Sequence, residues 1–409
     1  MGTILRALQN NRARLAILTL AHFSVDFCGG LMIPLPEPTL VQHLGVALPR
    51  VALLVGGAAI VINVVQPVSA WLLPARGMPV ILAAAPAAAA LITCIGLTHS
   101  YALVGAMLIV SGIGIGMLHP EGALAAHCVA GKRKGFGMSI FLSGGYFGYA
   151  SGSLTSGIWV EHTNQNITHL WILAAPALLT TFLVFASGLH RLEGHVAKED
   201  ESAAKGKFPF VPVFALAACI ALTLCTYVRF ITVWLVRRFP GEAAQGWGGA
   251  TVFAGGLAGA LGGIFWGHVS DRWGRPQIIA FAQLLAMPFL FLVLRVQSPN
   301  MAPVWGVGFG LTLGAVFPLS VVLAQNSRGL AQRLRMALAI GGAWGLGEVG
   351  FILGSRYIGR FPETAHEPVH LILSLCGLGA AITAALCGLL IWLQRREERL
   401  PAATSAANS

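Results

Sequence analysis

Among the ionisable side chains that stand inside long apolar runs, six invite a chemical reading: His22, Asp26, His119, Glu121, Arg229 and Glu348. A charge in hydrocarbon costs about 2.5 kcal/mol or more even on mild scales, so each of them needs a partner or a task. His22 and Asp26 are four residues apart and share one helical face. Asp26 lies about eleven residues into its run, roughly 16 Å along a helix and close to a bilayer midplane. His119 sits at a depth similar to that of His22. If those two runs face each other, His22, Asp26, His119 and Glu121 form one polar cluster. Low dielectric favours a neutral carboxyl and imidazole changes charge near pH 7, so such a cluster can take up and release a proton or bind substrate. It can equally be a hydrogen-bonded set that pins two helices together.

The other two charges leave the same kind of choice. Glu348 is flanked by Gly345, Gly347 and Gly350, and it either bonds a neighbouring helix or serves the transported species. Arg229, beside Thr226 and Tyr227, either snorkels outward or draws an anion inward. No metal and no enzyme activity are expected. His119, Glu121 and His127 do not form H-E-x-x-H, and two residues along a helix turn a side chain by roughly 200°. The seven cysteines never form C-x-x-C and read as small core residues. With no resident cofactor, a proton gradient is the expected driving force.

The elements that must position these groups follow from composition. In 409 residues, 56% are hydrophobic and 10% charged, which is too apolar for a soluble globule of this size. About twenty apolar residues span a bilayer, and twelve runs qualify: 15–38, 50–73, 79–97, 101–126, 136–160, 168–189, 209–236, 247–269, 277–296, 301–325, 336–358 and 370–393. Twelve spans place both termini on one side. Assigning that side to the cytoplasm puts 19 of the 26 Lys and Arg there, with six outside and Arg229 within a span. This is the positive-inside bias, so the net charge of +11 records topology and not nucleic-acid binding. Lipid is the anionic partner it implies.

Sliding the chain on itself by 197 to 198 residues aligns Gly77 and Pro79 with Gly274 and Pro276, Gly116 and Pro120 with Gly314 and Pro318, and Met138 and Gly144 with Met336 and Gly342. An internal duplication follows. The expected units are 1–189, a linker at 190–208, 209–394, and a tail at 395–409. Pro120 and Pro318 each remove a backbone donor, which predicts a helix break in both halves. Glycine at every fourth position, at 144, 148 and 152 and again at 255, 259, 263 and 267, predicts close helix packing.

Between the eighth and ninth runs lies Gly267-His268-Val269-Ser270-Asp271-Arg272-Trp273-Gly274-Arg275-Pro276. Its charges require water, Gly274 permits a tight turn, and Pro276 suits the start of a helix. The G-x-x-x-D-R-x-G-R pattern resembles the turn between the second and third helices of each half in the major facilitator superfamily. The first-half copy is degenerate, with Pro74 and Ala75 in place of Asp271 and Arg272 and Met78 in place of Arg275. Gly267, Asp271, Arg272, Gly274 and Arg275 are thus expected to lock one conformation and not to touch substrate.

His119-Pro120-Glu121, the Gly-Lys-Arg-Lys-Gly loop at 131–135 and the stretch from Met138 to Gly148 resemble the fosmidomycin-resistance branch of that superfamily. The resemblance implies an all-α polytopic protein of twelve helices in two pseudo-symmetric six-helix bundles, acting as a monomer in a bacterial inner membrane. It implies proton-driven export of small drug-like or anionic compounds by alternating access. Spans one, four, seven and ten would line the cavity. The fourth span lacks the arginine of many drug/proton antiporters, so His119, Glu121 and Asp26 would replace its role. Proton-coupled uptake of a small organic anion is the alternative, and a non-transporting sensor or scaffold is a more distant one.

Overall fold

Backbone N–H and C=O groups find no water in hydrocarbon, so apolar runs of this length must close their hydrogen bonds within helices. A computed structural model describes residues 8–72, 77–131, 134–192, 206–330 and 332–399. Pro74 and Ala75 of the degenerate turn, Lys132 and Arg133, linker residues 193–205 and the tail from 400 lie outside the described residues. The twelve spans are α1 Asn11–Leu31, α2 Leu48–Leu72, α3 Ile81–Leu97, α4 Tyr101–Val129, α5 Lys134–His162 and α6 Leu170–Ala186 in the first half. The second half holds α7 Phe210–Arg238, α8 Ala244–Trp273, α9 Arg275–Val293, α10 Pro299–Gln325, α11 Leu334–Ile358 and α12 Glu367–Arg399. Nine of these are long and apolar enough to cross a membrane, α3 and α6 are shorter apolar helices, and α5 is a 29-residue helix diluted by Gly and Ser.

Helix starts and stops follow local chemistry. The Asn10 side chain accepts from the Arg12 amide at 3.0 Å, capping α1. The Pro34–Pro38 stretch ends α1 at Leu31, as its missing donors require. Gly274 takes φ +92°, and Pro276 enters the first turn of α9.

The two halves pack alike. In the first, α1 lies on α5 and α6, α2 and α3 lie on α4, and α3 on α6; in the second, α7 lies on α11 and α12, α8 and α9 on α10, and α9 on α12. Each pair recurs six helices later, as duplication demands. The halves meet where α5 faces α8 and α2 faces α11. A two-residue parallel pairing of Phe208–Pro209 (β1) with Ser327–Arg328 (β2) ties the end of the linker to the turn after α10.

The glycine stripes do the packing expected of them. A Cβ at Gly144, Gly148 or Gly152 would strike the carbonyls of Thr19, Phe23 and Phe27 on α1, one helical turn apart. On α8, Gly255, Gly259 and Gly263 face the backbone of α10 at Gly306, Gly310 and Ala315, whereas Gly267 faces open space. Of the two expected proline breaks, one forms and the other does not. α10 is interrupted by a 3-10 turn at Gly314–Val316, with Pro318 in the first turn of the helix that follows, but α4 runs unbroken through Pro120. Gly112 and Gly116 let α4 press on the backbone of α2 at Ala58 and Ile62, and this packing keeps its axis continuous despite the missing donor.

Candidate functional site

His22 and Asp26 of α1 meet His119 of α4 within the first half. Asp26 Oδ2 lies 3.3 Å from His22 Nε2, and Asp26 Oδ1 lies 3.5 Å from His119 Nε2. Each imidazole is oriented by its other nitrogen: His22 Nδ1–H donates to the Phe141 carbonyl at 2.8 Å, and His119 Nδ1–H to the Ile115 carbonyl at 2.8 Å. A carbonyl can only accept, so both Nδ1 atoms carry hydrogen. Both Nε2 atoms then face the carboxylate. Neutral imidazoles and an ionised Asp26 would set lone pairs against lone pairs, so the trio is attractive only when it holds at least one proton or another cation. His22 also stacks on Phe141 at 4.3 Å and meets His119 edge-on at 5.1 Å.

The three side chains differ in exposure. The His22 side chain is 4% exposed, whereas Asp26 and His119 keep 17% and 26%. Space for the pair on α1 comes from Gly145 of α5, where a Cβ would stand 2.5 Å from Asp26 Oδ2 and closer still to His22 Nε2. The same three side chains offer ligand atoms within 4.8 Å of one another, a set of two imidazoles and a carboxylate that could hold a divalent cation. These are three of the four residues that the sequence placed in one polar cluster.

Glu121 does not join the cluster. The 200° turn between positions 119 and 121 sends its carboxylate to the opposite side of α4, against Gly77 in the turn before α3. Arg229 and Glu348, read separately in the sequence, are partners. Arg229 Nη2 donates to Glu348 Oε1 at 2.8 Å and Nε to Oε2 at 3.1 Å, a fork between α7 and α11 with both side chains 5% exposed. The guanidinium also lies over Phe351 at 5.4 Å. In the charged turn, Arg275 at the start of α9 pairs with Asp271 in the last turn of α8 at 3.3 Å, where both are solvated. Arg272 is exposed.

We call the face on which α1 begins the near face. The opposite, far face carries a belt of bonds between the halves that sequence reasoning missed. Arg237 at the end of α7 forks onto Glu37, with Nε–Oε1 at 2.8 Å and Nη2–Oε2 at 3.0 Å, and also donates to the Ala365 carbonyl. Burial pushes the Glu37 carboxyl up from its ordinary value, and the Arg237 guanidinium draws it back down. Gln245 donates to the Pro34 carbonyl and to Thr39, and Glu161 accepts from the Gln245 and Gly246 amides at the start of α8. The close approaches of α5 to α8 also lie in the far half, Gly157 on Gln245, Ser153 on Gly249 and Ala150 on Gly256. The one signal available in the sequence was an acid set between prolines at a helix exit.

Comparison with known proteins agrees with this architecture. The sequence pattern of the Major Facilitator Superfamily matches residues 18–349. The chain is 26% identical over 353 residues to an uncharacterized MFS-type transporter, YfnC, of Bacillus subtilis, covering 83% of this chain and 84% of that one. It is 26% identical over 284 residues to the fosmidomycin resistance protein of Escherichia coli, covering 66% and 67%. A bacterial homologue of the human lysosomal transporter Spinster, solved in an inward-facing and unoccupied conformation, superposes with a TM-score of 0.72 at 14% identity, over 94% of this chain and 98% of that one. A duplicated twelve-helix bundle with buried charges at its centre, matched by that pattern over most of its length, belongs to the major facilitator superfamily.

Proposed function

We propose that this transporter exports small drug-like or anionic organic compounds in exchange for protons, by alternating access across a bacterial inner membrane. The observation that carries the reading is the Asp26 carboxylate between two imidazoles whose Nδ1 atoms are already committed to carbonyls. That arrangement favours a held proton, and the partial exposure of Asp26 and His119 leaves the proton exchangeable. Likeness to a fosmidomycin resistance protein supports export as the direction. The Lys and Arg bias supports termini and near face in the cytoplasm. The chain works as a monomer with no cofactor and no covalent chemistry, and the charged turn at 267–275 biases one of its two states.

The test is growth of a drug-sensitive bacterium expressing the chain, against small phosphonates, fosmidomycin included, and unrelated lipophilic drugs. Selective resistance that Asp26→Asn removes, at equal expression, is the expected result. Increased sensitivity would reverse the direction to uptake. Resistance undiminished by Asp26→Asn would take Asp26 out of the proton path.

A further inference from the structure

Arg229 has more donors than Glu348 uses. A guanidinium offers five N–H groups in a rigid planar fork. The edge formed by Nε and Nη2 is taken by Glu348. Nη1 is buried and has no hydrogen-bond partner among the described residues. Leaving a buried charged donor unsatisfied is unfavourable, so a structural role satisfied by Glu348 does not account for this nitrogen.

The surroundings say what would suit it. Arg229 forms one wall of a cavity of about 30 Å³, whose other walls include Gly29 of α1 and Met32 just after it, Ala58 and Ile62 of α2, and Leu108 of α4. The cation thus comes from the second half and the apolar walls from the first. A space of this size holds roughly two waters, which is head-group scale. Gly29 is three residues beyond Asp26 on α1, roughly 4.5 Å by helical rise, so an occupant here sits next to the proton-holding trio.

We propose that the free edge of Arg229, at Nη1, seats the anionic head of the transported compound, a carboxylate or phosphonate, with its apolar body against α1, α2 and α4. The second edge of the guanidinium takes a planar or tetrahedral oxyanion without displacing Glu348. The other lining residues offer no counter-charge, so a cation is rejected and a neutral polar head gains little. The inference rests on the transporter reading and assigns its ligand class.

Binding to purified full-length protein tests it without a gradient. The probes are n-butylphosphonate, butyrate and n-butylammonium at equal ionic strength, read by calorimetry and by melting temperature. Both anions should bind and the ammonium should not. Glu348→Gln leaves the guanidinium without a counter-charge and lowers the melting temperature, and butylphosphonate should restore it more than it stabilises the wild type. The charge-balanced Arg229→Gln/Glu348→Gln double variant should fold and lose anion affinity by about tenfold or more, equivalent to about 1.4 kcal/mol. Unchanged anion affinity in the double variant, equal binding of butylammonium, or no binding of either anion at millimolar concentration would overturn the assignment. Anion binding without drug resistance would spare the seat and sink the export reading; resistance without anion binding would do the reverse.

Discussion

The two halves share a fold and differ in what they do with buried charge. In the first half, Asp26 is approached by two imidazoles at 3.3 and 3.5 Å, longer than a tight charge-assisted bond, and part of its side chain stays exposed. In the second, Arg229 and Glu348 close on each other at 2.8 to 3.3 Å and both are buried. The first arrangement is incomplete without a proton or another cation. The second balances its own charge and leaves one donor over. Duplication supplied two equal frames, and divergence placed a carboxylate between two imidazoles in one and a closed ion pair in the other.

That contrast can be broken most severely at Asp26. Asn is nearly the same size but cannot ionise, so Asp26→Asn should reduce coupled transport to background while expression and melting temperature hold. Removing one partner of the second-half pair should act on the fold instead. Arg229→Ala or Glu348→Ala leaves a buried charge unpaired and should cost about 3–5 kcal/mol, with the Arg229→Gln/Glu348→Gln double variant recovering most of it in thermal unfolding.

A pair of glycines sharpens the comparison further. At Gly145 a methyl group would drive into His22 and Asp26, whereas at Gly345 of α11 the nearest atom, the Asn63 Cβ, is 3.7 Å from the added carbon. Gly145→Ala should lose about 1–3 kcal/mol by overpacking and impair transport. Gly345→Ala should match the wild type in both assays. Smaller again is Asp271→Asn: its bond to Arg275 is solvated and worth about 0–1 kcal/mol, so melting temperature should barely move. Least of all, a chelator in the transport assay should change nothing if the trio holds a proton; inhibition by chelation would point to a bound divalent cation.

Much of this contrast was legible in the residues. Intramembrane expense marked Asp26, His119, Arg229 and Glu348, because few charges enter hydrocarbon without a role. The i,i+4 spacing put His22 and Asp26 on one face, and the glycine stripe from 144 to 152 foretold a close helix contact, though not that its partner is α1. What spacing could not supply was partnership between distant helices. Arg229 and Glu348 are 119 positions apart and Glu37 and Arg237 are 200 apart, so neither pairing has a local signature. Glu121 was grouped with His119 through sequence proximity, although helical rotation sends it to Gly77. Pro120 looked like a break because local rules see the missing donor and not the packing of Gly112 and Gly116 on α2.

The most direct test of proton exchange at Asp26 uses liposomes containing purified protein and a pH-sensitive dye in the lumen. The compound giving the strongest resistance in the growth panel would be applied as a gradient, with no imposed pH difference. Proton movement opposite to the compound in the wild type, and none with Asp26→Asn, is the predicted result. Proton movement of equal size in Asp26→Asn would contradict the assignment of the exchanged proton to the His22–Asp26–His119 trio.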